Sequence, residues 1–223
     1  MKKTILTTSF IICCCYFGKA QELTQGQSIK EEVLKVFGGK TALQTVKTFA
    51  YTLEKGVPDQ PKTAEKVMLN FTKRFIKKTF EKEGKTISHI YQNGKGWEMK
   101  QGKKTPLTDK LTKRLTNNFF YNFIGMLQDN DLQWKFIKNT TYRAQDVRIV
   151  RVMNDEHQLD LFVNKKGEVV TSSTPNESGK YNYYADEYEY KAVGKGIRFP
   201  LIFRVFKAGK CTYEGMFKNV VVK

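Results

Sequence analysis

The densest acidic group in the chain is Asp186, Glu187 and Glu189, interleaved with Tyr188 and Tyr190. Paired carboxyl groups are what glycoside hydrolysis uses, one to protonate the leaving oxygen and one to attack or to activate water. In an extended strand, alternate residues share a face. Glu187 and Glu189 would then form an outward polar face over inward Tyr188 and Tyr190, the bland and commoner arrangement. His89 and His157 lie far apart, and neither belongs to a metal-spacing motif such as H-E-x-x-H. There is no G-x-S-x-G elbow, phosphate-binding glycine loop or CxxC pair. No catalytic residue, metal site or cofactor is therefore expected, and an enzyme stays the least favoured reading.

Arg74 is the other residue singled out by its context. It follows the alternation Val67, Leu69, Phe71 and sits between Lys73 and Phe75. An inward arginine would need partners for its five donors, and the free carbonyl ends of an overlying helix would serve. An outward one would be a solvated member of a lysine-rich strand.

The elements that must position these residues are mostly strands. From Thr48 the apolar period is two, and short alternating segments separated by glycine turns continue to the end of the chain. Asn93-Gly94 marks a hairpin. The expected architecture is mainly β with some helix: about ten or eleven antiparallel strands in one strongly curved sheet, either closed as a barrel or, as a Phe-rich helix laid across the mouth favours, an unclosed half-barrel. An N-terminal helix precedes it. Ser28 and Glu31 match the reciprocal capping pattern for its start, and Gly38-Gly39 end it. A second helix, 108–127, carries Leu111, Leu115, Phe119, Phe123 and Leu127 at spacings of four. A helix that greasy must lie on the sheet. Its first half carries Lys110, Lys113 and Arg114, whereas 119–127 is uncharged.

The chain opens on Lys2 and Lys3, an apolar run from Thr4 to Phe17 and Gly18-Lys19-Ala20, the pattern of a cleavable export signal. The expected organisation is a signal peptide over 1–20, cut after Ala20, and one domain over 21–223. Cys211 is then the single remaining cysteine, which excludes an internal disulfide. The formal charge of +17 favours anionic partners such as lipid head groups, and export argues against nucleic acid.

Four stretches, in order, resemble the LolA/LolB superfamily of periplasmic lipoprotein carriers, especially its exported Bacteroidetes members. They are Val33 to Tyr51, Phe71-Thr-Lys-Arg-Phe75, Asn93-Gly-Lys-Gly-Trp97 and Gly196-Ile-Arg-Phe-Pro200. The resemblance implies an open curved sheet whose helices cover an apolar cavity for acyl chains. It implies that the arginine of the family's Lys-Arg-Pro strand, here Arg74, bonds the lid and latches it, although Phe75 stands where the family has proline. It makes Leu69, Phe71, Trp97, Leu115, Phe119 and Phe123 the expected lining. The function so implied is a periplasmic, monomeric binding or carrier protein for lipid or lipoprotein acyl chains, with an anionic membrane surface as a further partner. A non-carrier interaction module with a packed interior is the alternative.

Overall fold

The computed structural model describes residues 21–223; the expected signal peptide lies outside the described residues. Helix α1 covers 21–36, followed by α2, Lys40–Gln44. Six strands follow: β1 Thr48–Gly56, β2 Thr63–Asn70, β3 Phe75–Lys82, β4 Lys85–Gln92, β5 Lys95–Lys100 and β6 Lys103–Pro106. Two helices come next, α3 Asp109–Tyr121 and α4 Phe123–Gln128. Seven strands complete the chain: β7 Gln133–Tyr142, β8 Gln145–Met153, β9 Gln158–Asn164, β10 Val169–Ser173, β11 Tyr184–Gly194, β12 Ile197–Lys207 and β13 Lys210–Val222.

All thirteen strands form one antiparallel sheet in the order β6-β5-β4-β3-β2-β1-β13-β12-β11-β10-β9-β8-β7. Every neighbouring pair is consecutive in sequence except β1 and β13, which zip the two halves together. The two ends of that order, β6 and β7, do not pair, so the sheet is an open gutter. The connection between these two free edges is α3–α4. A chain leaving one edge and rejoining at the other must cross the mouth of the gutter, so the topology itself makes these helices a cover tethered at both ends. Thirteen strands stand where about ten or eleven are expected; β6 is the one no alternation marks, because its Lys-Lys-Thr-Pro is exposed and polar, yet lysine and proline are what a protected sheet edge carries.

Two helical expectations are corrected. The first concerns α1, which already runs through Gln21–Gln27, so Ser28 is an exposed mid-helix residue and not a cap. The helix extends because it lies against the β7 edge. A Cβ on Gly26 would stand 2.0 Å from the Trp134 carbonyl oxygen, so only glycine permits this approach. Ile29, Val33 and Phe37 are buried as the periodicity requires.

The second is the helix 108–127, which is broken at Asn122. That residue takes an extended ψ of 123°, and its side chain accepts from Ile124 N at 3.0 Å and Gly125 N at 3.4 Å. An asparagine that can cap a new helix competes with continuation of the old one. The break turns the apolar stripe: Leu111 is exposed, Leu115 and Phe120 are buried, and α4 buries Phe123, Ile124, Met126 and Leu127. The corner is tight, since a Cβ on Gly125 would stand 2.4 Å from the Phe119 carbonyl oxygen and 3.1 Å from the Phe71 ring. Gly125→Ala is therefore expected to destabilise the protein by about 1–3 kcal/mol through backbone displacement. Urea unfolding measures this, and an unchanged midpoint would show that the corner yields freely.

The main core fills one end of the gutter, where Phe37, Phe49, Phe123 and Phe199 stack with centroids 4.9–6.4 Å apart. Strand β9 is buried on both faces. Its inward Leu159, Leu161 and Val163 join that core. Its outward Phe162 joins Val147 and Ile149 in a smaller core on the convex side, closed by Tyr142, Tyr181 and Tyr184. The irregular segment 174–183 packs there through Tyr181, whose hydroxyl donates to Asp160 Oδ2 at 2.8 Å.

Candidate functional site

Two hollows lie on the concave side, and α3 stands between them. It presents Thr116, Phe119 and Phe120 to one and Asn118 and Tyr121 to the other. The first is a cleft of 850 Å3, polar and open, bounded by the β2–β3 turn, α4 and the residues 154–157 of the β8–β9 turn. The second is a cavity of 290 Å3 beneath the α3–α4 corner, walled by β1 and β9–β13. Tyr51, Leu53, Phe199, Phe203 and Phe217 supply its floor, and Tyr121 and Phe123 its roof. Phe203 can lie flat against β13 because Gly215 has no side chain; a Cβ there would be 2.3 Å from the ring.

Beyond the cavity the concave face turns charged. Leu53 pairs with Glu65, which shares its face and accepts from Lys55 at 2.5 Å and Lys78 at 2.7 Å. The gutter is thus apolar at one end and ionic at the other. This matches the asymmetry of α3, whose Lys110, Lys113 and Arg114 are exposed while Leu115 and Phe120 are buried.

Of the expected lining, Phe123 lies on the cavity, and Phe71 and Phe119 line the cleft, with ring centroids 6.4 Å apart. Leu69 and Leu115 are buried in the core between them. Trp97 is elsewhere. Its neighbour Gly96 faces α3, with Thr112 Oγ1 2.4 Å from where a Cβ would stand, so the Trp97 ring points to the opposite, convex face, where Lys104 Nζ sits 4.0 Å from its centroid. Alternation decides this, and the sequence offers no marker of which parity is inward.

Arg74 is not in a strand. It occupies the turn between β2 and β3 with φ +43°, and its side chain is exposed at the cleft. It touches α3 through the face of Phe119, whose centroid is 5.2 Å from the guanidinium carbon, and not through helix carbonyls. An exposed contact of this kind contributes about 0.5–1 kcal/mol. The helical cover is held more firmly elsewhere. Gln128 Nε2 donates to the carbonyls of Leu43 at 2.5 Å and Val46 at 2.8 Å, tying the end of α4 to the end of α2. Sequence reasoning missed Gln128, and no local pattern marks it.

The acidic group is divided by the sheet. Asp186 and Tyr188 face the convex side, where Asp186 accepts from Tyr142 at 2.7 Å and Tyr188 at 3.0 Å and pairs with Arg143 at 2.9 Å. Burial and this carboxylate push the Tyr142 hydroxyl up to about 12. Glu187 faces the other way, into the cavity. Glu189 then leaves the ladder, which passes from Tyr188–Ile202 to Tyr190–Pro200, and takes φ +54°. That departure costs a non-glycine residue about 1 kcal/mol and switches the faces. Tyr190, which an unbroken pleat would place opposite Glu187, packs edge-on against Phe37 inside, while Glu189 is exposed. The expectation of Glu187 on an outward polar face is thereby corrected.

Glu187 is partly covered by contact but enclosed by protein, its carboxyl opening onto the cavity. Burial, with Asp186 behind it, pushes that carboxyl up to about 8 from an ordinary 4.5. The folded state therefore keeps a proton that the unfolded chain releases near 4.5. The group's contribution to stability is complete below that value and is lost as pH rises through 8. Glu187→Gln is expected to remove this decline and to raise stability at pH 9, measured by urea midpoints at several pH values. An identical pH profile for both proteins would refute the assignment.

His157 lies at the cleft, its ring stacked on Phe120 at 4.8 Å and its Nε2 2.8 Å from Asn117 Oδ1. Asp186, Glu187 and His157 thus occupy three separate places. Among the described residues no group of three or more His, Cys, Asp or Glu side chains is placed to hold a metal.

This open antiparallel gutter, covered by helices that bridge its edges, is a LolA-like fold by its likeness to two solved structures. The chain is similar to a LolA superfamily protein from Nitrosomonas europaea, at 12% identity over 89% of this chain and 93% of that one, with a TM-score of 0.58. It is also similar to a Vibrio parahaemolyticus domain described as an outer membrane lipoprotein-sorting protein, at 10% identity over 90% and 93%, with a TM-score of 0.53. No family model and no curated protein matches the chain.

Proposed function

We propose that this is an exported, periplasmic binding or carrier protein that holds an acyl chain of a lipid or lipoprotein, without covalent catalysis. The observation that carries the reading is the 290 Å3 aromatic cavity beneath a cover tethered to both sheet edges. That volume equals about ten liquid waters, and each CH2 moved into it from water contributes about 0.8 kcal/mol. The lipoprotein-sorting description of the Vibrio structure lends support by analogy of fold alone. The charge of +17, which becomes +14 once Lys2, Lys3 and Lys19 leave with the signal, suits approach to an anionic membrane surface. The separation of Asp186, Glu187 and His157 supports the absence of catalysis, since acid–base chemistry needs its groups within reach of one substrate.

A second reading, an interaction module, is favoured by the tight packing of Phe37, Phe49 and Phe199 through the rest of the interior. Mass spectrometry of extracts from the natively purified protein, with thermal shifts against a lipid panel, separates the two. A co-purifying acyl lipid and ligand-dependent stabilisation are expected. Neither appearing would overturn the carrier reading in favour of the module.

A further inference from the structure

A site for hydrocarbon alone has no use for a carboxyl group, and Glu187 is costly where it stands. The two buried aspartates of the convex face are fully supplied with donors: Asp160 by two bonds from Arg151 and one from Tyr181, and Asp186 by Tyr142, Tyr188 and Arg143. Glu187 has no hydrogen bond or ion pair within the described residues, and no lysine, arginine or histidine is among those lining its cavity. Asn118, which lines the cavity from α3, donates its amide N–H groups to the carbonyls of Arg114 and Leu115 and not to Glu187. Apolar surroundings favour the neutral acid, whose O–H is then bonded to none of the described residues.

The titratable groups around it are few. Tyr51 on β1, Tyr121 on α3 and Tyr183 before β11 line the cavity. Tyr190 lies on its own strand, and Asp186 stands behind it on the opposite face. The parts of β9, β10, β12, β13 and α4 that reach the cavity contribute no titratable side chain. Nothing there neutralises an anion, and a cation would need to be buried as an ion pair against aromatic walls, with the desolvation cost that entails. An uncharged acceptor is the partner this site suits.

We propose that Glu187, as the neutral acid, donates a hydrogen bond to the carbonyl oxygen of an uncharged acyl ester or amide whose chain lies in the 290 Å3 cavity. The inference rests on the lipid-binding reading and deepens it: the cavity selects for a carbonyl at the head of the chain. The interaction holds only while the carboxyl keeps its proton, which burial extends to about pH 8.

Monolauroylglycerol, which does not titrate near neutrality, and dodecylammonium, which stays charged, are the two probes, with binding followed by calorimetry. For wild type, the Kd for monolauroylglycerol is expected to weaken about thirtyfold between pH 6.5 and 9.5, as the competent fraction falls. Glu187→Gln keeps an N–H donor without titrating and should change less than about twofold over that range. Glu187→Leu should bind about tenfold more weakly than wild type at pH 6.5, the loss of one hydrogen bond, with no pH dependence. A pH-independent wild type, a Glu187→Leu protein that binds as wild type does at pH 6.5, or dodecylammonium binding more tightly than the ester would overturn the inference while leaving lipid binding intact. Failure of every protein to bind monolauroylglycerol would overturn both.

Discussion

Ala185→Trp is expected to abolish lipid-dependent stabilisation while leaving the fold in place. Ala185 lines the cavity from β11, next to Glu187 on the same face and paired with Ser172 of β10. An indole grown from that position enters the 290 Å3 space an acyl chain would use. A ligand present at a hundred times its Kd stabilises the folded state by about 2.7 kcal/mol, and the variant should lose essentially all of it. Its stability without lipid should change little, because the added ring occupies space that is empty and not a packed core. Thermal unfolding with and without monolauroylglycerol reads both quantities. Full stabilisation in the variant would mean that the chain is held elsewhere, and the 850 Å3 cleft along Phe71 and Phe119 would be the place to look.

Asp160→Ala should have the largest effect on stability, without touching the cavity. Asp160 is fully buried on the convex face of β9. Its carboxylate receives Arg151 Nε at 2.7 Å, Arg151 Nη2 at 2.9 Å and the Tyr181 hydroxyl at 2.8 Å. Truncation leaves a largely covered guanidinium without its counter-charge, which costs about 3–5 kcal/mol. In a domain of this size that lowers the melting temperature by roughly 6–20 °C. Removing both partners in Asp160→Ala/Arg151→Met should restore much of the loss, since no uncompensated charge remains. Lipid affinity should be unchanged in both, because the cavity lies on the other side of the sheet. A loss below 1 kcal/mol for the single variant would show that solvent reaches Arg151 and that the convex core is loosely closed.

Some of this was legible in the residues. The period of two from Thr48 onward, the glycine turns and the Asn93-Gly94 hairpin are local signals, and local signals survive without knowledge of the fold. The antiparallel sheet follows from them, because short turns leave consecutive strands as neighbours; the Phe-rich helix favoured an open gutter over a closed barrel. An apolar hollow under a Phe-rich helix was legible in kind, but by residue only Phe123 lies on it, while Phe119 and Phe71 line the polar cleft on the other side of that helix. Asn122 could have been read as a stop, as it precedes the glycine of Phe-Ile-Gly and is a ready cap. Trp97 could not have been placed, because a strand's pattern says which residues share a face and not which face is covered.

What the sequence by itself determined is the alternation, the turns and the apolar character of 108–127, all of which depend on residues within a few positions of one another. What only the tertiary structure decided is where faces switch and what they meet. Gln128 reaches Leu43 and Val46 across more than eighty residues of chain. Arg74 meets Phe119 because a turn and a helix are brought together by two free sheet edges. Glu187 and Tyr190 both face inward because one residue between them, Glu189, steps out of the pleat. The physical reason is the same in each case. A side chain's chemistry is set by its surroundings, and these surroundings are assembled from strands that the chain visits far apart in sequence.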